Sequence, residues 1–191
     1  FDDMLIRTYY LLLNNKSALE MVRNVYKYIL IDEFQDINKV QFEVLKLICS
    51  PLNNIFAVGD EDQSIYGFRG ARPDFLLEFE QYFNNTKKII LDINYRSKSE
   101  IVHTANRLID KNKNRYEKII KCSQGDGGSV TYISPHDSEE EALYIAREII
   151  DEIQKDYVEY SDFAVIYRTN IQSRALVDVF MDMRIPFVVK D

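Results

Sequence analysis

The sequence predicts an α/β fold of parallel strands flanked by helices, and three observations carry that prediction. Tyr28-Ile29-Leu30-Ile31 is a short apolar run ending in Asp32-Glu33, and Ile55-Phe56-Ala57-Val58 repeats the design ahead of Gly59-Asp60. Runs this short, apolar throughout and rich in branched residues, suit strands covered on both faces. Between them Val40, Val44, Leu47 and Ile48 recur at i, i+4, i+7 and i+8, the spacing of a helix. Strand, helix, strand reads as a right-handed βαβ crossover. Both strands end in carboxylates, and open parallel sheets take their ligands outside those ends.

The remaining elements follow in order. A Gly-punctuated loop runs from Glu61 to Gly70, and Pro73 suits the first turn of a helix whose residues Phe75, Leu76, Phe79, Tyr82 and Phe83 keep helical spacing. Lys88 to Leu91 reads as a strand. Ser97-Lys98-Ser99-Glu100 reads as a capping box opening a helix with Ile101, Ala105, Leu108 and Ile109 on one face. Residues 111–128 are polar, and Gly125-Asp126-Gly127-Gly128 is the best linker candidate. Val130 to Ser134 is strand-like. Ser138 and Glu141 read as a second capping box, with Ala142, Ile145, Ala146, Ile149 and Ile153 inward. Phe163 to Tyr167 is strand-like, a helix carries Leu176, Phe180 and Met183, and Pro186 to Val189 reads as a last strand.

Composition bounds the function classes. With 46% hydrophobic and 29% charged residues the chain reads as soluble and globular, and no apolar run approaches the roughly 18–20 residues of a membrane span. The opening Phe1-Asp2-Asp3 offers no basic leader and no initiator Met, which suggests a start inside a longer protein. Cys49 and Cys122 stand in unrelated settings, so a reduced, cytoplasmic protein is expected. A net charge of −7 argues against a nucleic-acid binder. Yet residues 91–121 hold eight Lys/Arg, Arg115 and Lys118 among them, against four acids. That stretch is a solvated helix face or a surface for a polyanion, and charge alone does not choose.

Three segments carry chemistry. In Asp32-Glu33-Phe34-Gln35-Asp36 one carboxylate suits Mg²⁺, a hard cation that takes few protein carboxylates beside phosphate oxygens and water. The next suits a general base for an attacking water. The bland alternative is a solvated acidic turn. Gly59-Asp60-Glu61-Asp62-Gln63-Ser64-Ile65-Tyr66-Gly67-Phe68-Arg69-Gly70-Ala71 follows the neighbouring strand. Gln63 there suits a phosphate or the attacking water. Tyr66 and Phe68 beside Arg69 suit a stacking platform for unpaired bases, unless both rings are core. Asn94-Tyr95-Arg96-Ser97 sets a planar, permanently charged fork beside a helix start. Its alternative is a surface salt bridge.

Together these segments closely resemble the UvrD/Rep/PcrA group of superfamily 1 DNA helicases. Asp32–Asp36 looks like that group's motif II, Gly59–Ala71 like motif III, and Asn94–Ser97 like motif IV. Tyr167-Arg168-Thr169-Asn170 with Gln172-Ser173-Arg174 resembles a further segment, and Phe1–Leu5 resembles the return into the first motor domain. The resemblance implies two RecA-like domains with ATP between them. Residues 1–90 would be the later part of the first, and 91–191 the start of the second. It further implies that Asp32, with Glu33, holds Mg²⁺ and that Glu33 activates water. Gln63 would read the γ-phosphate, Tyr95 stack on adenine and Arg96 act as an arginine finger. Tyr66, Phe68 and Arg69 would touch single-stranded DNA, with Arg168 and Asn170 on its backbone. The parent is then expected to be a 3′→5′ helicase working at duplex junctions, beside repair or replication proteins. Phe68 departs from the Trp that the group commonly carries. The G-x-x-x-x-G-K-[ST] phosphate loop does not occur in these residues, so they alone are expected to be inactive. A helicase–nuclease subunit of the AddA/RecB kind and a non-catalytic interaction module are the alternatives.

Overall fold

A computed structural model describes residues 2–155 and 157–190. Phe1 and Asp191, on which the expected start and end of the chain fall, lie outside them. The chain divides into two compact units, Phe1–Val130 and Thr131–Asp191.

The first unit opens with two helices that pattern analysis does not assign, α1 (Asp2–Asn14) and α2 (Lys16–Val25). The Asn15 side chain caps α2 by accepting from the Ala18 amide. The expected crossover follows: β1 (Ile29–Ile31), α3 (Lys39–Cys49) and β2 (Ile55–Ala57). The strands are parallel, with Ile29 opposite Ile55 and Ile31 opposite Ala57. Asn38 and Gln41 form a reciprocal capping box that starts α3. Both α1 and α2 pack on α3.

The strands differ from expectation in being covered on one face only. Ile29, Ile31, Ile55 and Ala57 pack on a core of Phe34, Phe42, Cys49, Phe75 and Phe83. Leu30 and Phe56, opposite each other in register, are 74% and 62% exposed. A crossover helix covers the side it packs on, and a two-stranded sheet draws no second layer from these residues. On α3 the deepest positions are Phe42 and Cys49, whereas Val40, Val44, Leu47 and Ile48 are half-buried.

The helix expected from Pro73 forms in two turns, α4 (Asp74–Leu77) and α5 (Phe79–Tyr82), broken at Glu78. The 88–91 run forms no ladder, and Ile89, Ile90 and Leu91 are exposed. Pairing starts two residues later, where β3 (Ile93–Asn94) lies parallel to β4 (Lys121–Cys122). Between them α6 (Ser99–Ile109) buries Val102 and half-buries Ile109, while Ile101, Ala105 and Leu108 of the expected face are exposed. Its expected capping box does not form either. The Asn94 Oδ1 accepts from the Arg96 and Ser97 amides, and the Glu100 carboxylate accepts from the Gly127 amide. The candidate linker therefore clasps the start of α6, with Ser99 N donating to Gly125 O at 3.1 Å. The unit boundary falls just beyond it, after Val130.

The second unit rests on α7 (Ser138–Ile153) against α8 (Ser173–Asp182), with Ala142, Ala146, Ile149, Val179, Phe180 and Ile185 as its core. Asp137, one residue before the expected Ser138, caps α7 by accepting from the Glu139 and Glu140 amides. A carboxylate is the stronger acceptor there. The segments 130–134, 163–167 and 186–189 form no ladder among the described residues. Phe163, Val165 and Tyr167 still alternate inward against exposed Ala164 and Ile166, so the period of a strand persists without a partner. Among the described residues no helix is long and apolar enough to cross a membrane.

Phe42 is fully buried and stacks on Phe75 with ring centroids 4.0 Å apart. Phe42→Ala should cost about 3–5 kcal/mol, visible as a large fall in the urea midpoint of the first unit.

Candidate functional site

The site lies where β1 and β2 end side by side. Val58 N donates to Ile31 O at 2.8 Å and Phe34 N to Val58 O at 2.9 Å, which carries the strand pairing past both ends. There Glu33 turns the chain with a left-handed φ of 51°, a conformation uncommon for a residue with a Cβ. Phe34 can then enter the core while Asp32 and Glu33 stay exposed.

Gln35 is 1% exposed and joins the two strand ends. Its Nε2 donates to Glu33 Oε2 at 2.8 Å, and its Oε1 accepts from the Asp60 amide at 3.0 Å. A Cβ on Gly59 would lie 2.8 Å from that same Oε1, so the close approach requires glycine. Asp60 continues the path: its Oδ2 accepts from Gln63 Nε2 at 2.7 Å. Glu33, Gln35, Asp60 and Gln63 thus form one hydrogen-bonded chain at a single sheet edge. One oxygen of Glu33 and the amide oxygen of Gln63 have no partner in it. Asp36 Oδ1 is buried and has no hydrogen-bond partner among the described residues. Burial, and then the charge of Glu33, push the Asp36 pKa up.

Downstream, Tyr66 and Phe68 are open rings rather than core, Phe68 being 80% exposed. The Arg69 guanidinium lies 5.2 Å from the Tyr66 ring centre and 5.4 Å from that of Phe68. Cation and aromatics form one exposed cluster. Tyr95 and Arg96 are exposed just after β3, and among the described residues no hydrogen bond or ion pair joins Arg96 to Asp32, Glu33 or Gln63. Arg168 and Asn170 are exposed in the second unit, before α8, where Arg168 N donates to Gln172 Oε1 and Asn170 O accepts from Ser173 Oγ.

Pattern reading missed the groups that hold this site. Arg115 and Lys118, counted above in a basic stretch, are neither a solvated face nor an open basic patch. Arg115 grips both oxygens of Asp62 at 2.9 and 2.8 Å. Lys118 Nζ lies 2.6 Å from Asp60, 3.0 Å from Glu61 and 3.3 Å from Asp62. Three neighbouring carboxylates could suggest a cation site, but the ammonium of Lys118 already fills that role. Only the i, i+3 spacing of two cations hinted at a shared target. Gln35 gave no signal beyond being the one amide inside an acidic motif.

Burial pushes the Asp62 carboxyl up, but the Arg115 hydrogen bond and the Lys118 charge outweigh it and hold the pKa below the ordinary Asp value. Burial lowers the Lys118 ammonium, and its bonds to Asp60 and Glu61 more than restore it, so the net shift is upward.

Residues 1–84 match the UvrD/REP helicase N-terminal domain, and residues 89–191 match the UvrD-like helicase C-terminal domain. The chain belongs to the UvrD-like helicase family. It is 42% identical over 187 residues to the YjcD protein of Bacillus subtilis (strain 168), covering 98% of this chain and 24% of that relative. It is 38% identical over 189 residues to ATP-dependent DNA helicase PcrA of Staphylococcus epidermidis (strain ATCC 12228 / FDA PCI 1200) and of Staphylococcus aureus (strain NCTC 8325 / PS 47). Each of those matches covers 99% of this chain and 26% of the relative. The chain thus spans about a quarter of the length of the curated relatives it matches.

The two shifts stabilise the fold across the neutral range. The Asp62 part is present above about pH 3.9 and is lost as pH falls through the lower folded value. The Lys118 part is present below about pH 10.4 and is lost as pH rises through the higher folded value. Followed by circular dichroism, unfolding midpoints should therefore fall below about pH 4 more steeply in the unaltered protein than in Asp62→Asn.

Proposed function

We propose that the protein carrying this chain is an ATP-dependent DNA helicase or translocase of 3′→5′ polarity. In it, residues 1–90 would complete one RecA-like domain and residues 91–191 begin the next. The observation that carries this is the path from Glu33 through Gln35 and Asp60 to Gln63, which fixes a base and a phosphate-reading amide relative to each other.

The free oxygen of Glu33 accepts the proton of the attacking water, while the other is held by Gln35 so that the carboxylate does not turn away. Gln63, oriented through its Nε2 by Asp60, presents its oxygen to the water and its amide edge to the γ-phosphate. Asp32 is exposed at the strand end, with Oδ1 taking the Glu33 amide at 3.0 Å and Oδ2 open. That donor set, with Glu33 beside it, fits Mg²⁺, which needs only one or two carboxylates when phosphate supplies the rest. When bound, the ion would neutralise phosphate charge. Tyr95 offers a ring face to adenine and Arg96 a guanidinium to the charge developing on phosphate.

Tyr66, Phe68 and Arg69 form the platform for single-stranded DNA, at about 1–3 kcal/mol per stacked base. The smaller face of Phe68 keeps that role. Arg168 and Asn170 meet the phosphate backbone. The protein's working partners are then single strands at duplex junctions, with repair or replication proteins of the cytoplasm.

Glu33→Gln in the full-length protein should abolish DNA-stimulated ATP turnover while leaving ATP binding intact, and near-normal turnover removes Glu33 as the base. Residues 1–191 alone, which contain no phosphate-loop motif, should show no turnover in the same assay. Unwinding of a 3′-tailed duplex but not a 5′-tailed one checks the polarity.

A further inference from the structure

Lys118 and Arg115 lie in the segment matched by the C-terminal helicase domain, whereas Asp60, Glu61 and Asp62 lie in that matched by the N-terminal one. Their ion pairs therefore tie the two matched segments together immediately beside Gln63. The tie is enclosed except at Asp60, whose side chain is 35% exposed. The side chains of Lys118, Glu61, Asp62 and Arg115 are 10%, 3%, 11% and 11% exposed. Backbone reinforces it, because Tyr116 N donates to Glu61 Oε1 at 3.0 Å and Tyr116 OH to Leu76 O at 2.7 Å. Asp60 is the shared element. Its Oδ1 meets Lys118 Nζ and its Oδ2 holds Gln63 Nε2.

We propose that Lys118 is a positioning residue for Gln63, which it orients through Asp60, so that the second matched segment sets the pose of a phosphate-reading group on the first. The proposal rests on the reading of Gln63 given above. Asp60 carries Gln63 on one oxygen, and a carboxylate gripped on its other oxygen by an enclosed ammonium does not rotate freely. Without the ammonium that oxygen keeps only the longer bond from the Asp62 amide, at 3.2 Å against 2.6 Å to Lys118, so Asp60 turns more readily and the Gln63 amide turns with it. Lys118 need not touch nucleotide for this to govern turnover. Glu61 and Asp62 share the ammonium and, with Arg115, fix where it sits.

The test is a double-mutant cycle in the full-length protein, measuring kcat and KM for ATP with saturating single-stranded DNA and normalising to active sites by nucleotide titration. Lys118→Met is expected to lower kcat by about tenfold to a hundredfold, without a matching rise in KM. Gln63→Ala should lower kcat similarly, and the double variant should be no worse than Gln63→Ala alone. Lys121→Met, which removes an exposed cation paired with Asp92, should leave kcat unchanged. If Lys118→Met does not fold, Lys118→Met with Glu61→Gln loses an enclosed carboxylate together with its ammonium and carries the same expectation. Losses that multiply in the double variant, or unaltered kcat in Lys118→Met, overturn the positioning role while leaving the reading of Gln63 intact. Unaltered kcat in Gln63→Ala overturns that reading itself, and the role of Lys118 with it.

Discussion

The candidate site depends on one buried amide. Gln35 sits between two strand ends, donates to a carboxylate on one and accepts from a backbone amide on the other. Leaving either group of a buried amide unpaired costs about 1–3 kcal/mol. Both strand ends are therefore held in the one relation that satisfies it. That constraint reaches backward to the core, where Phe34 must turn inward for Gln35 to reach its place, and the left-handed backbone at Glu33 makes this turn possible. It also reaches forward to Gly59, because a Cβ there would lie 2.8 Å from the Gln35 oxygen and push it from its place.

A second constraint is electrostatic. Asp60, Glu61 and Asp62 follow one another along the chain, and three adjacent carboxylates repel unless cations intervene. Arg115 and Lys118 supply those cations from a segment more than fifty residues away. This resolves the conflict between an acidic chain and a basic stretch. Part of the positive charge in residues 91–121 neutralises the protein's own acids and is withdrawn from the surface that a polyanion would meet. What stays open near the site is the Tyr66–Phe68–Arg69 cluster, in which one cation shares its face with two rings.

Apolar periodicity and strand pairing part company in this chain. The segment 163–167 keeps alternating burial yet forms no ladder, and the apolar run 88–91 stays exposed while pairing begins at Ile93. Side-chain pattern reports which faces a segment offers, whereas a ladder needs a neighbour with free backbone groups. The same distinction explains α6, where the stripe Ile101, Ala105 and Leu108 has the spacing of a core face and is nevertheless exposed. That α6 is a helix was legible because helical spacing is local, but its buried face was not, because that depends on which neighbour arrives.

By itself the sequence determined the βαβ unit, the placing of Asp32, Glu33 and Asp60 at its strand ends, the inward faces of α7 and α8, and membership of the helicase family through the order of its motifs. These are local or linear properties, fixed by side-chain spacing and by what a parallel strand does with its carboxyl end. Only the tertiary structure decided that Gln35 is the bridge, that Gln63 hangs from Asp60, and that Arg115 and Lys118 close on the acids of the neighbouring loop. Each of those joins residues distant in the chain through atoms at the far ends of side chains. Periodicity carries no information about where such ends meet.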